Sequence, residues 1–223
     1  MKLDKSIFLS KIIGGTACFF AAAFPSVIFS CADSTPSLAK AIPSVILDYK
    51  DEQNVPAARF ALFVRTNSDN RRADNFTVKS LEDPLKLEWK VSDPKIVTMD
   101  NQEYIFAESL STADSSPFKK GLYKIVYTDA AGQETETSFR LDYREELFSI
   151  KSSEIRSELG NVRENIVVYN EFNMIIYIGK KKSTWKDDAG ILKDYKAAAY
   201  TRTVYFSDDY KIVCLMPVSK IEK

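Results

Sequence analysis

The sequence predicts a mainly β protein: an antiparallel β-sandwich over about residues 44–143, followed by a small α+β unit over about 144–223. Three observations predict this. Residues 44–143 form a succession of short runs in which apolar and polar side chains alternate, with turn residues closely spaced between them. Aromatic residues are plentiful, with 14 Phe and 11 Tyr against only 7 Gly, and aromatic side chains suit a pleated surface. Past residue 143 the apolar spacing shifts from two toward three and four, the period of a helix.

The chain starts on a different pattern. Residues 1–11 carry Lys2, Lys5 and Lys11 against Asp4, and Ile12 to Phe29 then runs without a charge. A basic start before an apolar stretch is the pattern of an export leader, with the basic end kept on the cytoplasmic side. The stretch closes on Val27-Ile28-Phe29-Ser30-Cys31. This resembles the lipobox of bacterial lipoproteins, with an aliphatic residue three before the cysteine and a small one directly before it. Ile28, Ser30 and Cys31 hold those places. Phe29 is bulkier than the usual residue, and here the motif resembles the relaxed lipoboxes of spirochaetes.

The resemblance implies a diacylglyceryl group on the Cys31 thiol, cleavage before Cys31, and acylation of the new amine. Two or three acyl chains, at about 0.8 kcal/mol per buried methylene, anchor durably where one does not. Membrane contact through that anchor is the partner it implies. Three other readings stay open. An uncleaved span is one, although Gly14, Gly15 and Pro25 make a poor helix of it. Cleavage near Ala21–Ala23 would leave Cys31 a free thiol, and the cysteine can also stand there by chance. Residues 31–43 are small, polar and punctuated by proline. They read as a flexible tether, on the order of 20 Å r.m.s..

Charge and composition exclude several function classes. Of 31 basic and 31 acidic residues, the leader takes three lysines and one aspartate, leaving 28 against 30. A chain so near neutrality has no global field for nucleic acid, and none is expected as a partner. Histidine is absent. Imidazole-based triads and the common histidine zinc sites are therefore excluded, and no cofactor, metal or catalytic residue is expected. Cys214 is the only cysteine beyond position 31, so that part of the chain has no internal disulfide.

The strands follow in order. Val45–Tyr49 comes first. In Arg59 to Arg65, Phe60, Leu62 and Val64 point inward and both arginines outward. Phe76–Val78 precedes the clearest run, where Leu85, Leu87, Trp89 and Val91 share one face opposite Lys86, Glu88 and Lys90. Glu103–Ala107, Leu122–Thr128 and Thr135–Tyr143 complete the set. Between the last two, Asp129-Ala130-Ala131-Gly132 is a turn whose glycine takes positive φ. Gly121, Tyr123, Asp129 and Gly132 resemble the closing hairpin of bacterial immunoglobulin-like and fibronectin-III-like domains. That resemblance implies an immunoglobulin-like antiparallel sandwich, with a tyrosine hydroxyl bonded back to the backbone as a corner clamp.

In 144–223, Ile155, Leu159, Val162 and Ile166 recur as a helical stripe, with Ser152 or Ser153 as N-cap and Gly160 weakening it. Ile166–Tyr169 and Met174–Ile178 read as strands around a turn at Asn170–Asn173. A second helix is expected over Asp187–Ala199, with Ile191, Leu192 and Tyr195 inward. A hairpin of Thr203–Phe206 and Lys211–Met216 closes a small antiparallel sheet.

No residue pattern here singles out a chemistry. Gly179 to Thr184 lacks the second glycine of a phosphate loop, and a solvated turn is the better reading. Cys214 lies in an apolar run and reads as a core thiol. Arg71-Arg72 reads as a loop tip. The pairs Glu145-Glu146, Asp187-Asp188 and Asp208-Asp209 suit helix starts and turns better than a two-carboxylate cleft. Trp185, Tyr195, Tyr200 and Tyr205 read as core, or, if exposed, as a platform for sugar or peptide. The resulting expectation is a non-catalytic, membrane-anchored binding or envelope-assembly component whose partner is an envelope protein or surface ligand. The alternative is an envelope enzyme using carboxylate or Ser/Lys chemistry in the second unit. A transporter's substrate-binding lipoprotein is a third class, but no repeated lobe is visible.

Overall fold

Alternation becomes strand almost wherever the sequence carries it in the computed structural model, which describes residues 35–52, 54–83, 86–99, 101–209 and 211–222. Eight strands build the first part: β1 (Leu38–Asp48), β2 (Ala57–Thr66), β3 (Ala73–Ser80), β4 (Glu88–Ser92), β5 (Lys95–Met99), β6 (Gln102–Leu110), β7 (Gly121–Asp129) and β8 (Glu134–Leu141). The runs read from the sequence fall in seven of them. β5 is the addition: five residues are too few for alternation to stand out, and pairing with β6 is what extends them. One layer runs β1-β2-β6-β5 and the other β4-β3-β7-β8, the strand order of immunoglobulin sandwiches.

The core lies between these layers. On β7, Tyr123, Ile125 and Tyr127 are fully buried while their alternates are half-exposed. Phe60 of β2 is the hub of the aromatic packing, with edge-on rings of Phe118 at 5.0 Å, Trp89 at 5.4 Å and Tyr123 at 5.9 Å. The hairpin between β7 and β8 has the expected chemistry. The Asp129 carboxylate accepts from the amides of Ala131 and Gln133, both at 2.9 Å, and Gly132 takes φ +77°. The Tyr123 hydroxyl donates to the Lys119 carbonyl at 2.7 Å, the back-bond the resemblance implied.

The second part supplies α1 (Ser152–Leu159), β9 (Val162–Asn170), β10 (Ile175–Gly179), α2 (Asp188–Asp194), β11 (Ala198–Ser207) and β12 (Ile212–Lys220). Two helices are shorter than their apolar stripes. Gly160, at φ +70°, stops α1, so Val162 and Ile166 of the expected stripe belong to β9 instead. Its N-cap is Lys151, without a side-chain bond, and the expected caps Ser152 and Ser153 lie inside the helix. α2 ends before Tyr195, which is extended at φ −131°, and Ala198 already opens β11. Its N-cap is Asp187, whose side chain accepts from the Gly190 amide.

Strands β10-β9-β11-β12 are antiparallel as expected, but they do not stand apart. β12 lies parallel to β1, from Val45 opposite Ile212 to Asp48 opposite Leu215. The larger sheet therefore has eight strands, β10-β9-β11-β12-β1-β2-β6-β5, and residues 34–223 form one compact unit. The change of periodicity near 144 marks the point where the chain leaves the sandwich and begins to extend its larger sheet. By register, Ile166, Val168, Thr201, Thr203, Tyr205 and Cys214 share one face of that extension. α1 and α2 pack on this face: Arg156 of α1 stacks over Tyr205, and Ile191 of α2 joins Ile166, Val168, Trp185 and Ala198 in a second small core.

The start of β1 corrects the expected tether. Residues 38–43 are strand, paired with β2 from Leu38 opposite Thr66 to Pro43 opposite Leu62. Leu38 and Ala41 pack against the main core, which repays the ordering of this segment. Pro43 is tolerated because β12 reaches β1 only from Val45 onward, so its missing N–H falls where the strand is paired on one side.

Arg202 of β11 ties the two parts together. Its guanidinium is salt-bridged to Asp48 of β1 and donates to the carbonyls of Tyr49 at 3.1 Å, Leu215 at 3.2 Å and Met216. Arg59 of β2 approaches the same Asp48 carboxylate at 3.4 Å. Arg202→Met should lower stability by roughly 2–3 kcal/mol, because three half-buried carbonyls and a carboxylate lose a charged donor. Urea unfolding checks this; an unchanged midpoint with an unchanged slope would show that Arg202 ties nothing.

Candidate functional site

Cys31, the one site residue the sequence nominates, lies outside the described residues, as do residues 32–34 of the tether and Leu85. Each remaining candidate has a defined place. Cys214 is wholly buried, opposite Leu47 of β1 and Tyr205 of β11. Burial pushes its thiol up from 9.0 to about 12, so it is protonated and inert as a nucleophile near neutrality. Arg72 pairs with Asp129 at 3.4 Å and Arg71 reaches Glu103 at 4.0 Å. That pair braces a short 3-10 turn at Asn70–Arg72.

The three acidic pairs do not converge. Glu145 and Glu146 bond to Lys120 and Arg144. Asp187 caps α2, and Asp188 accepts from the Glu222 amide. Asp209 accepts from Ser207 and the Lys211 amide inside the turn between β11 and β12. Three carboxyls, Asp114, Asp194 and Asp209, have their pKa lowered. For Asp114 the cause is hydrogen bonding from Ser116. For Asp194 it is Lys182, then the Trp185 indole. For Asp209 partial burial pushes upward and is outweighed by bonds from Ser207 and Lys211. The depression in which Lys120, Arg144 and Lys211 face Asp142, Glu146 and Asp209 is lined by both signs of charge. Among the described residues no three His, Cys, Asp or Glu side chains gather as a metal site needs, and no helix is long and apolar enough to cross a membrane.

Of the four aromatic residues singled out in the second part, Trp185 is core, while Tyr195, Tyr200 and Tyr205 are half-buried. Trp185 is 1% exposed, with Tyr177 at 4.9 Å and Tyr195 at 5.8 Å between ring centres. Lys182, read as part of a solvated turn, caps this cluster. Its ammonium lies 5.0–5.6 Å from the three ring centres and 2.9 Å from Asp194, which also accepts from the Trp185 indole at 2.8 Å. The Asp194 bond raises the Lys182 pKa. Lysine, rings and carboxylate satisfy one another, and that arrangement closes the small core under β9 and β10.

Two apolar surfaces escape a reading by alternation. On the outer face of the larger sheet Phe63 stacks on Phe106 at 4.7 Å, with Tyr104 edge-on at 6.4 Å. Phe63 sits on the face assigned to Arg59 and Arg65, and only the register of β2 against β6 shows that an aromatic partner lies across from it. The hairpin of β9 and β10 exposes Phe172 at 72%, Met174 at 57%, Ile175 at 58% and Ile178 at 59%. Met174 to Ile178 reads as an ordinary strand in sequence. That it forms an edge, with nothing among the described residues over its outer face, is a consequence of topology. The turn is held firmly, because the Asn170 side chain accepts from the amides of Phe172 at 3.0 Å and Met174 at 2.9 Å.

The fold thus defines a mainly β, sandwich-based protein with two layers of antiparallel strands and a four-stranded extension of one layer. Comparison with known proteins finds no matching family model, no matching curated protein and no matching solved structure.

Burial gives these groups a common pH dependence. The hydroxyls of Tyr49, Tyr123, Tyr127, Tyr143 and Tyr205 are all raised, burial being the largest cause in each, as is the Cys214 thiol. The unfolded chain releases these protons from about pH 9 upward while the fold retains them. Stability from this source is therefore complete below about pH 9 and declines toward pH 12. The urea midpoint should fall steadily above pH 9, and Cys214 should resist thiol reagents at pH 8 until the chain unfolds. Stoichiometric labelling in the native state would contradict the burial.

Proposed function

We propose that the chain is a membrane-anchored lipoprotein, held by acyl chains on Cys31, whose folded part is a non-catalytic binding or assembly component of a cell envelope. The observation that carries this reading is the lipobox-like Ile28-Phe29-Ser30-Cys31 at the end of a basic, then apolar, leader. A second observation supports it. The first strand begins at Leu38, leaving six residues between it and Cys31, a link of at most about 25 Å when extended. A short link to a rigid body suits a device that presents its surfaces close to a membrane. The binding role is supported by the apolar β9–β10 hairpin, whose Phe172, Met174, Ile175 and Ile178 are exposed. Exposed apolar area on a stable fold is a common mark of partner contact.

Metabolic labelling with an alkyne fatty acid tests the anchor. The wild-type chain should take the label, sediment with membranes and give a mature mass that begins at Cys31. Cys31→Ser should lose the label and the membrane association together. Label retained on that variant, or a mature chain that keeps residues 1–30, overturns the reading.

A further inference from the structure

We propose that the edge strand β10 is a self-association surface, on which a second copy of this chain pairs antiparallel and extends the eight-stranded sheet across a twofold axis. The inference goes beyond the anchor reading and does not depend on it.

Sheet edges are guarded in most proteins by charge, proline or a covering element, and three of the four edges here are guarded by charge. β5 starts on Lys95 after Pro94, β4 carries Glu88 and Lys90, and β8 carries Glu134, Glu136 and Arg140. β10 reads Ile-Ile-Tyr-Ile-Gly and has no charge at all. A bulge at Ile176 shifts its register against β9, from Ile175 opposite Tyr169 to Tyr177 opposite Val168. The bulge leaves Ile175 and Ile178 together on the outer face while Tyr177 turns in toward Trp185.

Area and charge select the occupant. Phe172, Met174, Ile175 and Ile178 are 57–72% exposed; at roughly 200 Å² per large side chain they present on the order of 500 Å² of apolar surface. That is near the upper limit of what a solitary protein leaves uncovered. Antiparallel pairing sets Ile175 and Ile178 of one copy beside those of the other, so that part of this area is shielded across the twofold axis. The ends of the strand carry opposite charges: Glu171 before it, Lys180 and Lys181 after it. None of the three has an ion-pair partner among the described residues. Antiparallel pairing of β10 with itself brings Glu171 of each copy toward the lysines of the other, whereas parallel pairing opposes like with like. The surface is thus complementary to itself in hydrogen bonding, in apolar area and in charge, which is what an isologous contact requires.

The test uses the full chain in cells, as two co-expressed copies with different tags. A photo-crosslinking amino acid at position 178 or 174 should give, on irradiation, a species of twice the chain mass that carries both tags. The same probe at Val55, which is exposed on another part of the surface, should not. Ile175→Lys, at a side chain too exposed to matter for folding, should reduce the doubly tagged product at least tenfold with the melting temperature unchanged. A product carrying one tag and a foreign mass would identify a different partner and overturn the proposal. So would equal yield from Val55, a product that survives Ile175→Lys, or no product at all.

Discussion

The four residues Val45 to Asp48 are paired on both sides, antiparallel to β2 and parallel to β12, and the rest of the molecule depends on that double pairing. Without β12, β1 would be the open edge of the sandwich, and Leu47 and Tyr49, now fully buried, would meet water. The dependence runs the other way as well. The main core includes Leu147, Phe148, Ile155 and Cys214, all contributed after the sandwich has closed in sequence. Tyr49 reaches the same later segment through its hydroxyl, which donates to the Ile150 carbonyl at 3.0 Å. A cut near residue 143 would leave neither half with a complete interior.

How much of this the sequence reveals follows from what alternation can report. A period of two assigns a residue to a face, and it did so correctly for Phe60, Leu62 and Val64. It says nothing of which strand lies alongside. The partner of β1 sits more than 160 residues away, so its discovery needs the three-dimensional register. The helical stripe from Ile155 to Ile166 shows the complementary limit. Spacings of four, three and four persist across Gly160, but one residue at positive φ redirects the chain. The remainder of the stripe is then read by a sheet, in which Ile166 and Val168 point to one side. Local chemistry was more legible than topology. Asp129, Gly132 and Tyr123 behave as their types dictate, because each acts on residues within four positions of itself.

The nominated site and the visible surfaces are legible to different degrees for the same reason. Cys31 is nominated because its neighbours in sequence resemble a motif. The β9–β10 hairpin carries no motif, and its apolar side chains are unremarkable until the sheet is laid out and β10 proves to be last. The acidic pairs are the converse case. They attract notice in sequence, yet each is consumed by a cap, a turn or a neighbouring cation.

Exposure of an apolar hairpin is tolerable only on a rigid support, since a mobile one would collapse onto the nearest apolar surface. The support here is unusually complete for so short an edge. On the inner side of β10, Tyr177 packs between Trp185 and Tyr195, and its hydroxyl donates to the Lys180 carbonyl at 2.7 Å, fixing the exit of the strand. The Lys182 ammonium over the three rings, held by Asp194, then closes the loop that follows. At the other end the Asn170 side chain fixes the turn. Ile175 and Ile178 are therefore held outward by restraint at both ends of a five-residue strand, so little ordering entropy remains to oppose whatever covers them.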